Sequence, residues 1–203
     1  MLQLSIADLD QYSDVVHTRR GEPVTLRFIT PDDAEPLQAY VRGLNSRSRY
    51  NRFFGALSEL PKAVLEDFTH AGRDDRFSLM ATMHDAEPIV GEARYAFHPE
   101  NASVEFGLSV LDRWQGHGIG PALMQNVECR AAALGAVSMF GDTLRSNDVM
   151  IRLAKKSGYL FHQHPDDWKL VRFEKRIMKA ASLACANLPL VAAAAPLGEM
   201  PAR

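Results

Sequence analysis

At 203 residues and a net charge of −2, the chain can bury one full core and offers no broad basic face to nucleic acid or anionic lipid. Its two cysteines, Cys129 and Cys185, lack metal or redox spacing, so a reduced, cytoplasmic protein is the default expectation. No apolar run reaches the roughly 20 residues of a membrane span. The first residues, with Asp8, Asp10 and Asp14, lack the basic and apolar regions of a secretory leader.

Residues 1–22 show no clear period and read as a partly flexible or strand-adding lead. From Val24 the pattern alternates as a strand to Ile29. Thr30-Pro31-Asp32-Asp33 then reads as an N-cap with proline at the first helical position, opening a helix to about Gly43. Residues 58–71 read as a second helix, with Leu60, Val64, Leu65 and Phe68 on one stripe. Strands are expected at about 76–84 and 88–97, joined by a tight acidic turn around Asp85. A third, Ala102 to Leu111, puts Val104, Phe106, Leu108 and Val110 on one face and Glu105, Gly107 and Ser109 on the other. Beyond a glycine-rich loop comes a helix to about Leu134, with Ile119, Leu123, Val127 and Leu134 as its core stripe. A strand at 136–144, a short helix at 147–157 and a final strand pair at 159–164 and 168–174 complete a mixed α/β layer. Ala180 to Arg203, dominated by Ala, Leu and Pro, suits a tail more than a core element.

The chemistry concentrates in Leu111-Asp-Arg-Trp-Gln-Gly-His-Gly-Ile-Gly-Pro-Ala-Leu123. Glycines at 116, 118 and 120 leave peptide N–H groups uncovered, and the helix that follows adds unpaired amides and a partial positive charge. Several donors converging on one concavity suit a pyrophosphate. A Walker loop would need Lys and then Ser or Thr after the last glycine, where this chain has Pro121, Ala122 and Leu123. A dinucleotide fingerprint would need a third glycine at 121 or 123 and an acidic residue about 20 positions on, so it fits poorly.

Gln115-Gly116-His117-Gly118-Ile119-Gly120 resembles the Q/R-x-x-G-x-G/A loop of the GNAT superfamily of acyl-CoA N-acyltransferases, with a strand before it and an apolar-faced helix after it. Pro121 is tolerated there because the first helical turn has no acceptor for its missing N–H. The resemblance covers about 24–175. It implies a GNAT fold, a mixed and mostly antiparallel central sheet with helices on both faces, over 23–176, between the lead at 1–22 and an Ala/Pro-rich tail at 177–203. It also implies acetyl-CoA as co-substrate and no metal. Gln115, Gly116, His117, Gly118, Ile119 and Gly120 would hold the pyrophosphate. The main chain of Leu108, Ser109 and Val110 would lie along the pantetheine arm, with Val110 N–H polarising the thioester carbonyl. Asn147 would reach the cofactor arm, and the same residue reads as an ordinary helix N-cap. Seven residues later, where many family members carry an acidic tyrosine, stands Ala154. Tyr159 fills the aromatic slot that ends the helix, and no side-chain acid is assigned.

Acyl transfer needs a neutral amine, and a lysine-like amine with a pKa of about 10.4 is neutral roughly once in 2,500 molecules at pH 7. Glu105 is the candidate base, because it lies on the strand feeding the glycine loop, beside Gly107 and Ser109, whose small side chains leave room for a substrate. It reads equally as an exposed strand glutamate paired with an arginine; the family resemblance favours the base.

A second set of stretches narrows the likeness. Ser46-Arg-Ser-Arg-Tyr-Asn-Arg-Phe-Phe-Gly-Ala-Leu57, Glu66-Asp-Phe-Thr-His70, Gly91-Glu-Ala-Arg-Tyr95 and Asp112-Arg-Trp-Gln-Gly116 resemble the acetyltransferase domain of bacterial protein-lysine acetyltransferases. That resemblance implies a protein lysine as acceptor. The alternatives are a small-molecule amine or amino-acid acetyltransferase, or a non-catalytic acyl-CoA-binding module. Neither nucleic acid nor membrane is expected as a partner, and a homodimer stays open. Of Arg47, Arg49, Tyr50, Arg52, Phe53 and Phe54, the aromatics are expected to pack and the arginines to line the cleft or bind carboxylates. His117 reads as a solvated loop residue. His162, His164 and Asp166 read as a solvated strand end rather than a metal site.

Overall fold

Eight strands form one sheet in the order β1-β2-β3-β4-β5-β6-β8-β7. The structure, a computed structural model, describes residues 13–83 and 88–177. The acidic turn around Asp85, the first 12 residues and the tail expected after 177 lie outside the described residues. The strands are β1 (Asp14–His17), β2 (Pro23–Phe28), β3 (Arg76–Met83), β4 (Ile89–His98), β5 (Ser103–Val110), β6 (Ser138–Leu144), β7 (Leu160–Gln163) and β8 (Leu170–Arg176). Every neighbouring pair is antiparallel except β5 and β6. Helices α1 (Ala34–Gly43), α2 (Ser46–Phe53) and α3 (Lys62–Thr69) cover one face, and α4 (Ile119–Ala133) and α5 (Asp148–Lys156) cover the other.

The lead contributes β1, which pairs with β2 from Asp14 to His17. Asp14 is buried because Asn126 Nδ2 donates to it at 2.6 Å and Arg130 Nη2 at 3.1 Å, which ties this edge strand to α4. The expected cap before α1 forms as a short 3-10 turn, Pro31–Asp33. There Asp33 accepts hydrogen bonds from Thr30 N–H and Oγ and a bidentate pair from Arg27.

Periodicity does not announce helix α2, since none of its residues is buried. Polar contacts hold it. Asn45 Oδ1 accepts from Ser48 N–H at 2.7 Å, Ser48 Oγ donates to Asp112 at 2.7 Å, and Arg49 donates to the carbonyls of Arg42 and Leu44 at the end of α1. On α3, Phe68 is buried and Leu65 is partly so, but Val64 turns outward, a departure from the single stripe expected.

Strand alternation puts Phe28, Leu79, Ala93, Val104 and Phe106 under Leu123, Val127 and Ala154. On the opposite face Met80 packs with Leu37, Tyr40, Val41, Leu44, Leu60 and Phe68. Cys129 is buried on α4, and Cys185 lies outside the described residues. No described helix is long and apolar enough to cross a membrane.

Candidate active site

The parallel pair at the middle of the sheet is short. β5 and β6 are in register only at Ser103↔Ser138, Val104↔Met139 and Glu105↔Phe140, although β5 runs on to Val110 and β6 to Leu144. Gly141 stands where they part. A Cβ there would lie 2.6 Å from the Phe106 carbonyl oxygen and 2.6 Å from the Phe173 ring, so only glycine fits. At the far end of β5, Leu111 N–H donates to Val90 O at 2.9 Å. Main-chain groups of alternate residues face the same side of a strand, so those of Gly107 and Ser109 serve β4, and those of Phe106, Leu108 and Val110 face the opening. Ser109, expected along the opening, turns its main chain to β4 instead. Its side chain is engaged as well, donating to Glu92 at 2.6 Å.

The opening leads to the glycine loop. Gly116 (φ 81°) and Gly118 (φ 98°) both need left-handed backbone, and Gly118 caps α4. At the helix start Ala122 N–H already bonds Gly118 O, and Pro121 has no N–H, which leaves the amides of Ile119 and Gly120 to face the loop. Gln115 Nε2 donates to Val110 O at 3.2 Å and so ties the loop back to β5. His117 packs edge-on against Trp114, and its carbonyl accepts from Arg19 N–H at 2.8 Å. The Arg19 side chain runs beside Gly118, its Cγ 3.5 Å from where a Cβ would sit. Bare amides and a helix start, with the Arg19 side chain running past them, fit a diphosphate. Arg19 escaped the sequence reading because nothing local links residue 19 to residue 117.

A cavity of about 660 Å³ opens on the sheet face beneath α2 and α3, and Glu105, Gly107 and Leu108 form its floor. The Glu105 side chain is 54% exposed, with His98 Nε2 at 3.6 Å. The space over Gly107 and Ser109 is not empty as expected. Arg52, reaching down from α2, lies over Gly107 and donates to Glu92 from Nε at 2.6 Å and from Nη2 at 3.0 Å. Glu92 is fully buried and also accepts the Ser109 hydroxyl, whose oxygen lies 2.9 Å from the Tyr40 hydroxyl. Burial, reinforced by the Glu92 charge, pushes the Tyr40 hydroxyl well above its ordinary pKa. Glu92 therefore holds Arg52 in place, whereas Glu105 is the carboxylate open to an incoming group.

On the β6 side, Asp142 takes two hydrogen bonds from Arg172, at 2.9 and 2.8 Å, and faces His164 Nε2 at 3.4 Å. His164 Nδ1 accepts the amides of Asp166 and Asp167. His164 is thus part of the cavity wall, a correction to the solvated strand end expected for it; His162 is exposed. Among the described residues no group of three or more His, Cys, Asp or Glu side chains could hold a metal. Asn147 caps α5 by accepting from Met150 N–H, donates to Thr143 Oγ at 3.0 Å, and lines the cavity. Ala154 is buried in the core. Tyr159 packs against Phe106 and Phe173, and burial pushes its hydroxyl far above the ordinary range. Of the arginine cluster, Arg52 binds a carboxylate, Arg49 caps α1 and Arg47 donates to Ser146 O, while Tyr50 and Phe54 are exposed.

Comparison with known proteins agrees with this geometry. The profile of the Acetyltransferase (GNAT) family matches residues 44–159. An acetyltransferase of Pseudomonas aeruginosa is 26% identical over 149 residues, covering 72% of this chain and 80% of that protein. Acetyltransferase Pat of Mycolicibacterium smegmatis is 28% identical over 144 residues, 70% of this chain and 43% of the relative, so the chain spans under half of that protein. Among solved structures, the GNAT domain of S. lividans PAT superposes with a TM-score of 0.75 at 27% identity, covering 82% of this chain and 97% of that domain. The splayed strands, the glycine loop and these relatives converge, and the chain belongs to the GNAT family of acetyltransferases.

Proposed function

We propose that the chain transfers an acetyl group from acetyl-CoA to a primary amine by direct attack, with a protein lysine as the acceptor and Glu105 as the base. The observation that carries this reading is the parting of β5 and β6 just beyond Glu105. It turns the main-chain groups of Leu108 and Val110 towards an opening that runs from the base to the glycine loop.

Acetyl-CoA supplies an activated acyl thioester. The amides at 116–120, with Arg19 beside them, would hold its diphosphate. The exposed edge of β5 would align its arm, and Val110 N–H would polarise the thioester carbonyl. Glu105 takes one proton from the acceptor ammonium, freeing the lone pair that bonds to the acyl carbon, and the second proton the nitrogen sheds as the amide forms passes to solvent or to the released thiolate. The carbon–sulfur bond breaks and the thiolate departs; a thiol pKa of about 8.5 makes it a tolerable leaving group without a side-chain acid. Glu92 does not suit the base role, because taking a proton would strand the partly buried Arg52 guanidinium.

Support for a protein lysine comes from the resemblance of residues 46–57 and 66–70 to lysine-acetyltransferase domains, and from a cavity bordered by the exposed Phe54 and Val64. Thiol release should be followed with an amine panel and with a protein extract. Replacing Glu105 with Gln should lower kcat at neutral pH at least about a hundredfold while leaving CoA affinity within about twofold. Full activity of the variant would remove Glu105 from the mechanism. Binding of acetyl-CoA without transfer to any acceptor would favour a non-catalytic acyl-CoA-binding module.

A further inference from the structure

The wall of the cavity formed by β3, β4 and α3 carries more positive charge than its carboxylates neutralise. Arg52 is matched by Glu92, which holds it through two hydrogen bonds. Asp67, in contrast, serves two guanidiniums through one oxygen: Arg94 Nη2 at 3.2 Å and Arg76 Nη1 at 3.5 Å both approach Oδ2. All three residues line the cavity. Among the described residues, two cations against one carboxylate leave one unit of positive charge on this wall.

Arg94 is held firmly, its guanidinium 4.4 Å over the Phe68 ring and its side chain 18% exposed. Burial lowers its pKa, and the charges of Arg76 and Arg52 push in the same direction against the opposing bond to Asp67. An anion arriving there would relieve that repulsion and form charge-assisted hydrogen bonds to two planar forks.

Register locates this charge relative to the base. Arg76 is opposite Ala96, which is opposite Glu105, and Arg94 is opposite Gly107. All of these lie on one sheet face. Two strand spacings separate Arg76 from Glu105, about 10 Å between backbones. A molecule with its amine at Glu105 therefore has the arginine pair within reach of its other end, and a single excess charge suits a monoanion better than a phosphate.

We infer that the acceptor carries a carboxylate, held by Arg76 and Arg94 while the reacting amine lies at Glu105. The inference rests on the acetyl-transfer reading for the amine's placement. The carboxylate has two sources: an acidic residue flanking a protein lysine, or the carboxyl group of a free amino acid.

The test is calorimetric titration of the CoA-saturated chain with two matched pairs of probes. One pair is ε-aminocaproate and its amide; the other is two lysine peptides differing only in a Glu or Gln beside the lysine. The carboxylate member should bind about tenfold more tightly, and Arg76→Gln should cut that preference below about threefold with CoA affinity unchanged. Preference within the peptide pair assigns the carboxylate to a protein acceptor, and preference within the aminocaproate pair assigns it to a free amino acid. Equal binding within both pairs overturns the inference. A preference that survives both Arg76→Gln and Arg94→Gln overturns it too. Because the readout is binding, a chain that shows the preference but acetylates nothing refutes acetyl transfer alone.

Discussion

A methyl group on Gly107 would come within 2.8 Å of Arg52 Nη1, so the residue at 107 is glycine because a guanidinium occupies the space above it. Arg52 cannot back away freely. Its Nε and Nη2 are committed to Glu92, and its flanks lie against the rings of Phe53 and Phe68 at 5.4 and 5.9 Å. Gly107→Ala should therefore cost about 1–3 kcal/mol of folding stability, the range for overpacking a well-fitted site. Urea unfolding of the variant decides the matter: an unchanged midpoint and slope would mean that Arg52 swings aside and that its pairing contributes little.

The turn before α1 makes stability pH-dependent. Burial raises the Asp33 pKa, but the hydrogen bonds from Arg27 and Thr30 and the Arg27 charge outweigh it, so the carboxyl sits below its ordinary value. A group depressed in the folded state stabilises fully above its unfolded pKa, near 3.9, and loses that contribution as pH falls through its folded value. Asp33→Asn should cost about 1–2 kcal/mol at neutral pH through the weakened cap and ion pair. The gap between wild type and variant should narrow on acidification below the ordinary carboxylate range. Unfolding curves of both proteins across that range test this, and a gap independent of pH would assign the cost to packing.

How far the sequence discloses these features depends on whether their causes are local. Strands β3, β4 and β5 and helix α4 carry clear periods. The glycine loop is a contiguous string, so the phosphate reading and the strand position of Glu105 rest on neighbouring residues. Strand β1 has only four residues, and its buried Asp14 finds partners at Asn126 and Arg130, more than a hundred positions away. Helix α2 has no buried stripe to announce it. The room expected above Gly107 is filled from α2, whose Arg52 meets Glu92 forty positions on. Likewise His164, just after β7, meets Asp142 only because β8 pairs with both β7 and β6. Register between distant segments creates these pairings, and no periodicity encodes register with a segment elsewhere in the chain.

Gly118 and Gly120 separate backbone demand from simple smallness within the glycine loop. Gly118 sits at φ 98° and faces the Arg19 side chain, so a β-branched residue there would strain the loop and displace that arginine together. Gly120 has no such backbone, and a Cβ on it would meet Leu153 at 3.4 Å and Val110 at 3.9 Å, ordinary contact distances. Gly118→Val should weaken CoA binding at least about tenfold, equivalent to about 1.4 kcal/mol, whereas Gly120→Ala should change it less than about threefold. Calorimetry on the two variants contrasts them directly. If Gly118→Val binds CoA as wild type does, the loop is not where the diphosphate lies. If Gly120→Ala loses as much affinity as Gly118→Val, close approach of the helix start to the ligand, rather than the left-handed turn before it, sets the site.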